Sequence, residues 1–205
     1  MLEDLRCAVD SHTGHFVCEE IGQEQNTKTV RFRHGGSPPD SALTVPDIPG
    51  LKEFYGTYGY LTMYVDEQSG EAAYFLASPS QWSELNECFR PWLEEFDEDE
   101  AAGCFPSWIN DCIVIGEIPQ SGNYLLVPAS GPDIGKVFEF DHDGFEFLEL
   151  GENLPDFVIR MLDLDSFRLT RIASHLRFIT ADNRQWWIKE LRDNRGNAIL
   201  TEVET

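Results

Sequence analysis

Long apolar runs are missing from this sequence. Stretches such as Tyr124-Leu125-Leu126-Val127 are short, whereas a helix needs about 20 apolar residues to cross a bilayer. No membrane-spanning helix is expected. The opening Met1-Leu2-Glu3-Asp4 is acidic and carries no apolar stretch, so a secretory signal is not expected either. Paired cysteine spacing is also absent. Cys7, Cys18, Cys88, Cys104 and Cys112 are odd in number and include no CxxC, which predicts reduced thiols in a cytoplasmic protein. Most of all, positive charge is scarce. Fifteen Lys and Arg stand against 37 Asp and Glu, a net charge of −22. Nucleic-acid binders need basic patches, and anionic membranes repel such a chain. Neither is expected as a partner; a basic protein is.

What the chain does have is apolar mass. Of 205 residues, 41% are hydrophobic, which excludes wholesale disorder. A chain of this length buries roughly 70% of the surface it exposes when unfolded. The acidity is unevenly placed. Residues 1–159 hold seven basic and 30 acidic residues, a balance of −23, and residues 160–205 hold eight and seven, a balance of +1. A compositional boundary therefore falls near 160–168.

Turn signals divide the chain into elements. His15 to Cys18 and Thr29 to Phe32 read as a hairpin with a polar turn of Gln, Asn and Thr. Gly35-Gly36-Ser37-Pro38-Pro39 reads as a loop. Residues 49–58 read as a helix: Asp47 caps it, Pro49 opens it, and Gly59 ends it. Residues 60–65 and 72–77 flank the turn Asp66 to Gly70. Ser78-Pro79 starts a helix carrying Trp82, Leu85, Cys88 and Phe89 on one stripe, and Pro91 is expected to break or kink it, with residues 91–96 beginning a second short helix. Residues 112–150 predict a four-strand antiparallel meander, followed by a helix over 154–163 capped by Asn153. In the tail, Leu176 to Thr180 is strand-like and Asn194 to Asn197 is a turn. Residues 185–191 fit strand or helix, and a small strand meander is favoured.

Several motifs in the middle of the chain occur in a fixed order. Trp108-Ile109-Asn110-Asp111 leads into Cys112 to Ile118, with Ile115-Gly116 inside it. Then come Gly122-Asn123-Tyr124, Phe138-Glu139-Phe140-Asp141-His142-Asp143, and the helix from Leu154 to Leu162. This order resembles the SUKH superfamily, in the branch related to the fungal cell-wall synthesis regulator. Ile48 to Tyr55 is similar to that family's N-terminal helix, although Tyr58-Gly59 stands where its usual Asn-Gly would be. The resemblance covers roughly residues 46–163 and rests on turn glycines, core aromatics and a turn histidine. It implies an α+β fold, a mostly antiparallel sheet with packed helices, in which 1–45 and 164–205 are N- and C-terminal extensions. It implies no catalytic set. Bacterial members are often immunity proteins that neutralise toxins, many of them nucleases; fungal members act as interaction hubs.

Three groups of residues offer chemistry. Asp141-His142-Asp143 has the composition of an acid–base or metal cluster, but strand neighbours point to opposite faces and Asp-Gly is ordinary hairpin chemistry, so it reads as a turn. Cys7, His12, His15 and Cys18 are zinc-type ligands without a common zinc spacing. No metal, cofactor or catalytic residue is therefore expected. Glu94, Glu95, Asp97, Glu98, Asp99 and Glu100 form a near-continuous acidic block. It reads as a solvated helix end or loop, or as a docking surface for a basic partner, a reading that the −23 balance around it raises. Trp82, Trp92 and Trp108 read as core residues, and any exposed near the block is a candidate anchor. The expectation is a non-catalytic binding protein, an immunity protein engaging a basic toxin, with a regulatory scaffold as the alternative.

Overall fold

Turn chemistry between short apolar runs builds the centre of the sheet, where β-strand residues 123–128 and 137–140 are buried on both faces rather than alternately. In a computed structural model, which describes residues 2–94, 105–175, 178–179 and 184–200, the chain opens with helix α1 (Leu2–Ser11) and strands β1 (Gly14–Glu20) and β2 (Gln23–Gly36). Helix α2 (Leu51–Tyr55), strands β3 (Leu61–Asp66) and β4 (Tyr74–Leu76), and helix α3 (Trp82–Glu94) follow. Strands β5 (Cys112–Ile118), β6 (Asn123–Pro128), β7 (Val137–Asp141) and β8 (Glu146–Gly151) form the predicted meander, each antiparallel to the next. Helices α4 (Leu154–Leu162) and α5 (Ser166–His175) and strands β9 (Phe178–Ile179), β10 (Gln185–Arg192) and β11 (Ala198–Leu200) complete the described chain.

The strands form one antiparallel sheet in the order β11-β10-β1-β2-β3-β4-β5-β6-β7-β8, with β9 beside β10. The fold is thus α+β: a large antiparallel sheet with a few helices. The N-terminal strands join it directly, β2 to β3, and the tail joins it by pairing β10 with β1, His15 opposite Arg192 and Phe16 opposite Leu191. One apolar cluster runs from Leu5 and Phe16 through Leu51 and Phe140 to Ile188 and Leu191. Among the described residues, no helix is long and apolar enough to cross a membrane.

Helix α4 shows how the sequence positions an element. The Asn153 Oδ1 accepts from the Asp156 amide at 3.0 Å, and the Asp156 carboxylate in turn accepts from the Glu152 amide at 2.9 Å. Two donors at the helix start are satisfied reciprocally. Leu154, Phe157, Val158 and Met161 are buried, and each such side chain contributes roughly 1.5–3 kcal/mol of transfer free energy. Tyr64 joins this helix to the sheet. Its hydroxyl donates to the Met161 carbonyl at 2.5 Å. It holds a left-handed φ of 55°, strain of roughly 1–2 kcal/mol that its complete burial offsets.

Several local expectations need correction. The first helix is shorter than 49–58. Gly50, at φ 81°, precedes it and Gly56 follows it, and Asp47 does not cap it but pairs with the Lys52 ammonium at 2.6 Å. Pro91 does not break α3, which runs through it to Glu94. So close to the helix end, the missing N–H removes one bond from a turn that is already ending. The first hairpin turns at Ile21-Gly22, not in the Gln/Asn/Thr stretch, which is part of β2. Helices α1 and α5 were not anticipated. In the tail, β10 with β11 across the Asn194–Asn197 turn matches the favoured meander; of the Leu176–Thr180 strand only Phe178-Ile179 is described.

Candidate functional site

Glu94 is the one member of the acidic block within the described residues; Glu95, Asp97, Glu98, Asp99 and Glu100 lie outside them. Glu94 is exposed at the last residue of α3. Two residues earlier, on a different side of the helix, α3 leans on the β7–β8 hairpin through Trp92. The indole of Trp92 packs 5.3 Å from the His142 ring and 6.2 Å from the rings of Phe140 and Phe145. Trp82 and Trp108 are core residues, as expected, while Trp92 is only half-buried. On the other side of α3, Asn86, Phe89, Leu93 and Glu94 line a cleft of about 480 Å³ with Ile109 and Asn110.

The hairpin end beneath Trp92 is tied down by a buried polar chain. Glu139 is fully buried in β7, and its carboxylate accepts from the Asn123 side-chain amide at 3.0 Å. The Asn123 carbonyl oxygen accepts from the His142 backbone amide at 3.2 Å and stands 2.7 Å from His142 Nδ1. An amide oxygen only accepts, so Nδ1 carries the proton. The other nitrogen, Nε2, lies 3.1 Å from the Asp143 carboxylate.

Asp141, His142 and Asp143 were expected to diverge, but the structure brings them together. Asp141 ends β7 and the next two residues are in the turn, so strand alternation no longer applies. Their ligand atoms lie within 4.8 Å of one another, a group that can hold a metal ion. Among the described residues no other set of three such side chains converges. The Cys7, His12, His15 and Cys18 group is dispersed. Cys7 is exposed on α1, Cys18 is buried in β1, and His12 turns to His34 at 2.8 Å. Sequence reasoning missed this His12–His34 contact because His34 is 22 residues away on a strand whose length was not anticipated.

Asp141 and Asp143 bring carboxylates to the hairpin turn on which the partly exposed Trp92 packs, while Glu94 lines the cleft on the other side of α3. No family model, curated protein or solved structure matches the chain.

Proposed function

We propose that this chain is a non-catalytic binding protein that engages a basic protein partner through the acidic face around the end of α3. The observation that carries the reading is Trp92, half-buried where α3 crosses the β7–β8 turn, with the Asp143 carboxylate beside the His142 ring on which it packs. Aromatic anchors ringed by polar groups dominate binding energy at interfaces, and carboxylates steer a cationic partner toward them. The −23 balance of residues 1–159 supports the same partner class.

The resemblance to the SUKH superfamily gives this reading its particular form, an immunity protein that neutralises a toxin by direct binding. A nuclease toxin holds phosphates in a positive cleft, so a negative inhibitor complements it. The observed α+β sheet is of the class that the resemblance implies.

The test is capture of the cognate partner on the full-length chain, followed by charge neutralisation. Replacing Glu94, Glu95, Asp97, Glu98, Asp99 and Glu100 by amides is expected to slow association more than it speeds dissociation. Raising salt from about 50 to about 500 mM should mimic the loss, since the Debye length falls to about 4 Å. Unchanged association at low salt would reject the face. A captured toxin whose activity is blocked supports the immunity role; a regulatory complex with other cellular proteins would assign a scaffold instead.

A further inference from the structure

A second surface, built by helices other than α3, combines apolar area with negative charge. Helices α1, α2 and α4 enclose a groove of about 430 Å³. Leu5, Pro155 and Ile159 supply its apolar lining, and Asp4, Glu53 and Asp156 its carboxylates. Among the described residues, no lysine or arginine lines it.

Ile159 is the informative member. The face that α4 turns to the core consists of Leu154, Phe157, Val158 and Met161. Ile159 is not on it and remains 45% exposed, so the fold does not require an apolar side chain there. An exposed isoleucine alone needs no explanation. Here it lies in a concave site of ligand-binding size that is ringed by three carboxylates in a strongly acidic chain. The carboxylate of Asp156 already holds Arg160 at 2.8 Å. That pair lies within α4 and partly offsets the Asp156 charge; a carboxylate accepts several donors, so Asp156 keeps capacity for a further cation beside Arg160.

We infer that the groove between α1 and α4 docks a short cationic segment of a partner protein, an apolar side chain entering against Leu5 and Ile159 while flanking Lys or Arg pair with Asp4, Glu53 and Asp156. The inference rests on the reading of the chain as a binder of basic proteins and adds a contact separate from the Trp92 face. Charge complementarity selects the occupant: the same apolar lining with an anionic segment would place like charges together, which disfavours binding.

The test uses the full chain and two fluorescein-labelled synthetic peptides, one alternating Leu with Lys and the other Leu with Glu. The Leu/Lys peptide should bind saturably at low salt, with amide shifts confined to residues 4–8, 53 and 155–160, and the Leu/Glu peptide should not bind. Ile159→Asp separates insertion from simple attraction, because it removes the apolar contact while adding negative charge. It should weaken the Leu/Lys peptide about tenfold, the value of one buried aliphatic side chain, without lowering the melting temperature. Glu53→Gln should weaken it about twofold. Trp92→Ala should leave it unchanged. An Ile159→Asp variant that binds equally well or more tightly would overturn the inference, as would shifts spread over the whole acidic surface. Loss of binding in Trp92→Ala instead would move the peptide to the α3 face, overturning the groove and leaving the proposed function intact. Absence of any peptide binding overturns the groove alone, since the α3 face is judged on the captured partner.

Discussion

His12 Nδ1 stands 2.8 Å from His34 Nε2, and the amide of Tyr64 donates to the other ring nitrogen of His34 at 3.2 Å. The backbone amide fixes the polarity of this chain. His34 Nδ1 must be bare to accept it, so a neutral His34 carries its proton on Nε2 and donates to His12. Protonating either ring sets two N–H groups against one another or against the Tyr64 amide. Phe32 and Tyr64 pack their rings against the pair, and Phe16 packs on both of them. Burial lowers the pKa of both histidines, and that of His34 to about 3, the neighbouring His12 adding to the effect.

The sign of the pH dependence follows. In the unfolded chain these histidines titrate near 6.5, so below that pH the unfolded state binds more protons than the folded one. Their contribution to stability is complete above about pH 6.5 and is lost as pH falls toward about 3. The slope approaches about 1.4 kcal/mol per pH unit for one such group. His34→Gln should therefore be less stable than the parent at pH 7, with a difference that shrinks by about 1–2 kcal/mol at pH 5. Denaturant midpoints at the two pH values measure it; a constant difference would refute it.

Asn123 is 1% exposed and serves both Glu139 and His142. Asn123→Leu leaves a buried carboxylate short of one donor and frees the turn histidine. A loss of about 2–3 kcal/mol is expected, read by chemical denaturation. Since Trp92 rests on His142, its fluorescence should shift in the same variant.

Gly116 is fixed by close backbone approach. A Cβ there would stand 2.1 Å from the Phe75 carbonyl oxygen, across a pairing in which β4 contributes only three residues. Gly116→Ala is expected to cost more than about 3 kcal/mol, whereas Gly70→Ala, open to solvent but at φ 79°, should cost about 1 kcal/mol. Thermal melts of the two variants make the comparison.

The thiols should separate into two classes. Cys7 and Cys88 are exposed, Cys18 is buried and Cys112 partly so. Burial pushes Cys18 and Cys112 up to about 12, and the thiolate is the reactive form. A thiol reagent should label Cys7 and Cys88 in the folded protein, and Cys18 and Cys112 only after denaturation without reductant. Peptide mapping distinguishes them, and a disulfide joining any of the four would contradict the expectation.

The central meander and α4 were legible because their signals are local. Gly122, Gly144 and Asn153 sit beside the elements that they delimit, and the short apolar runs between them supply the strands. Helix α1 had a signal that was passed over: Leu5 and Val9, four residues apart, are its buried contacts. Leu169 and Ile172 carry the corresponding signal in α5. Proline in α3 misled because its cost depends on distance from the helix end. The pairing of β1 with β10 and the His12–His34 bond join residues far apart in sequence, which no local pattern encodes. Of the candidate face, Glu94 and Trp92 were legible as types, but their union with His142 depends on how α3 crosses the hairpin.

The placement of β10 against β1 sets the order in which the chain can finish itself. Residues 15–20 emerge well before residues 186–192 during synthesis, and until those arrive their outer backbone donors and acceptors have no strand beside them. Until then β1 presents an open edge, the kind of surface on which chains pair wrongly with one another. A ribosome-bound chain halted before residue 185 should therefore bind chaperones, and release should coincide with emergence of β10 from the exit tunnel.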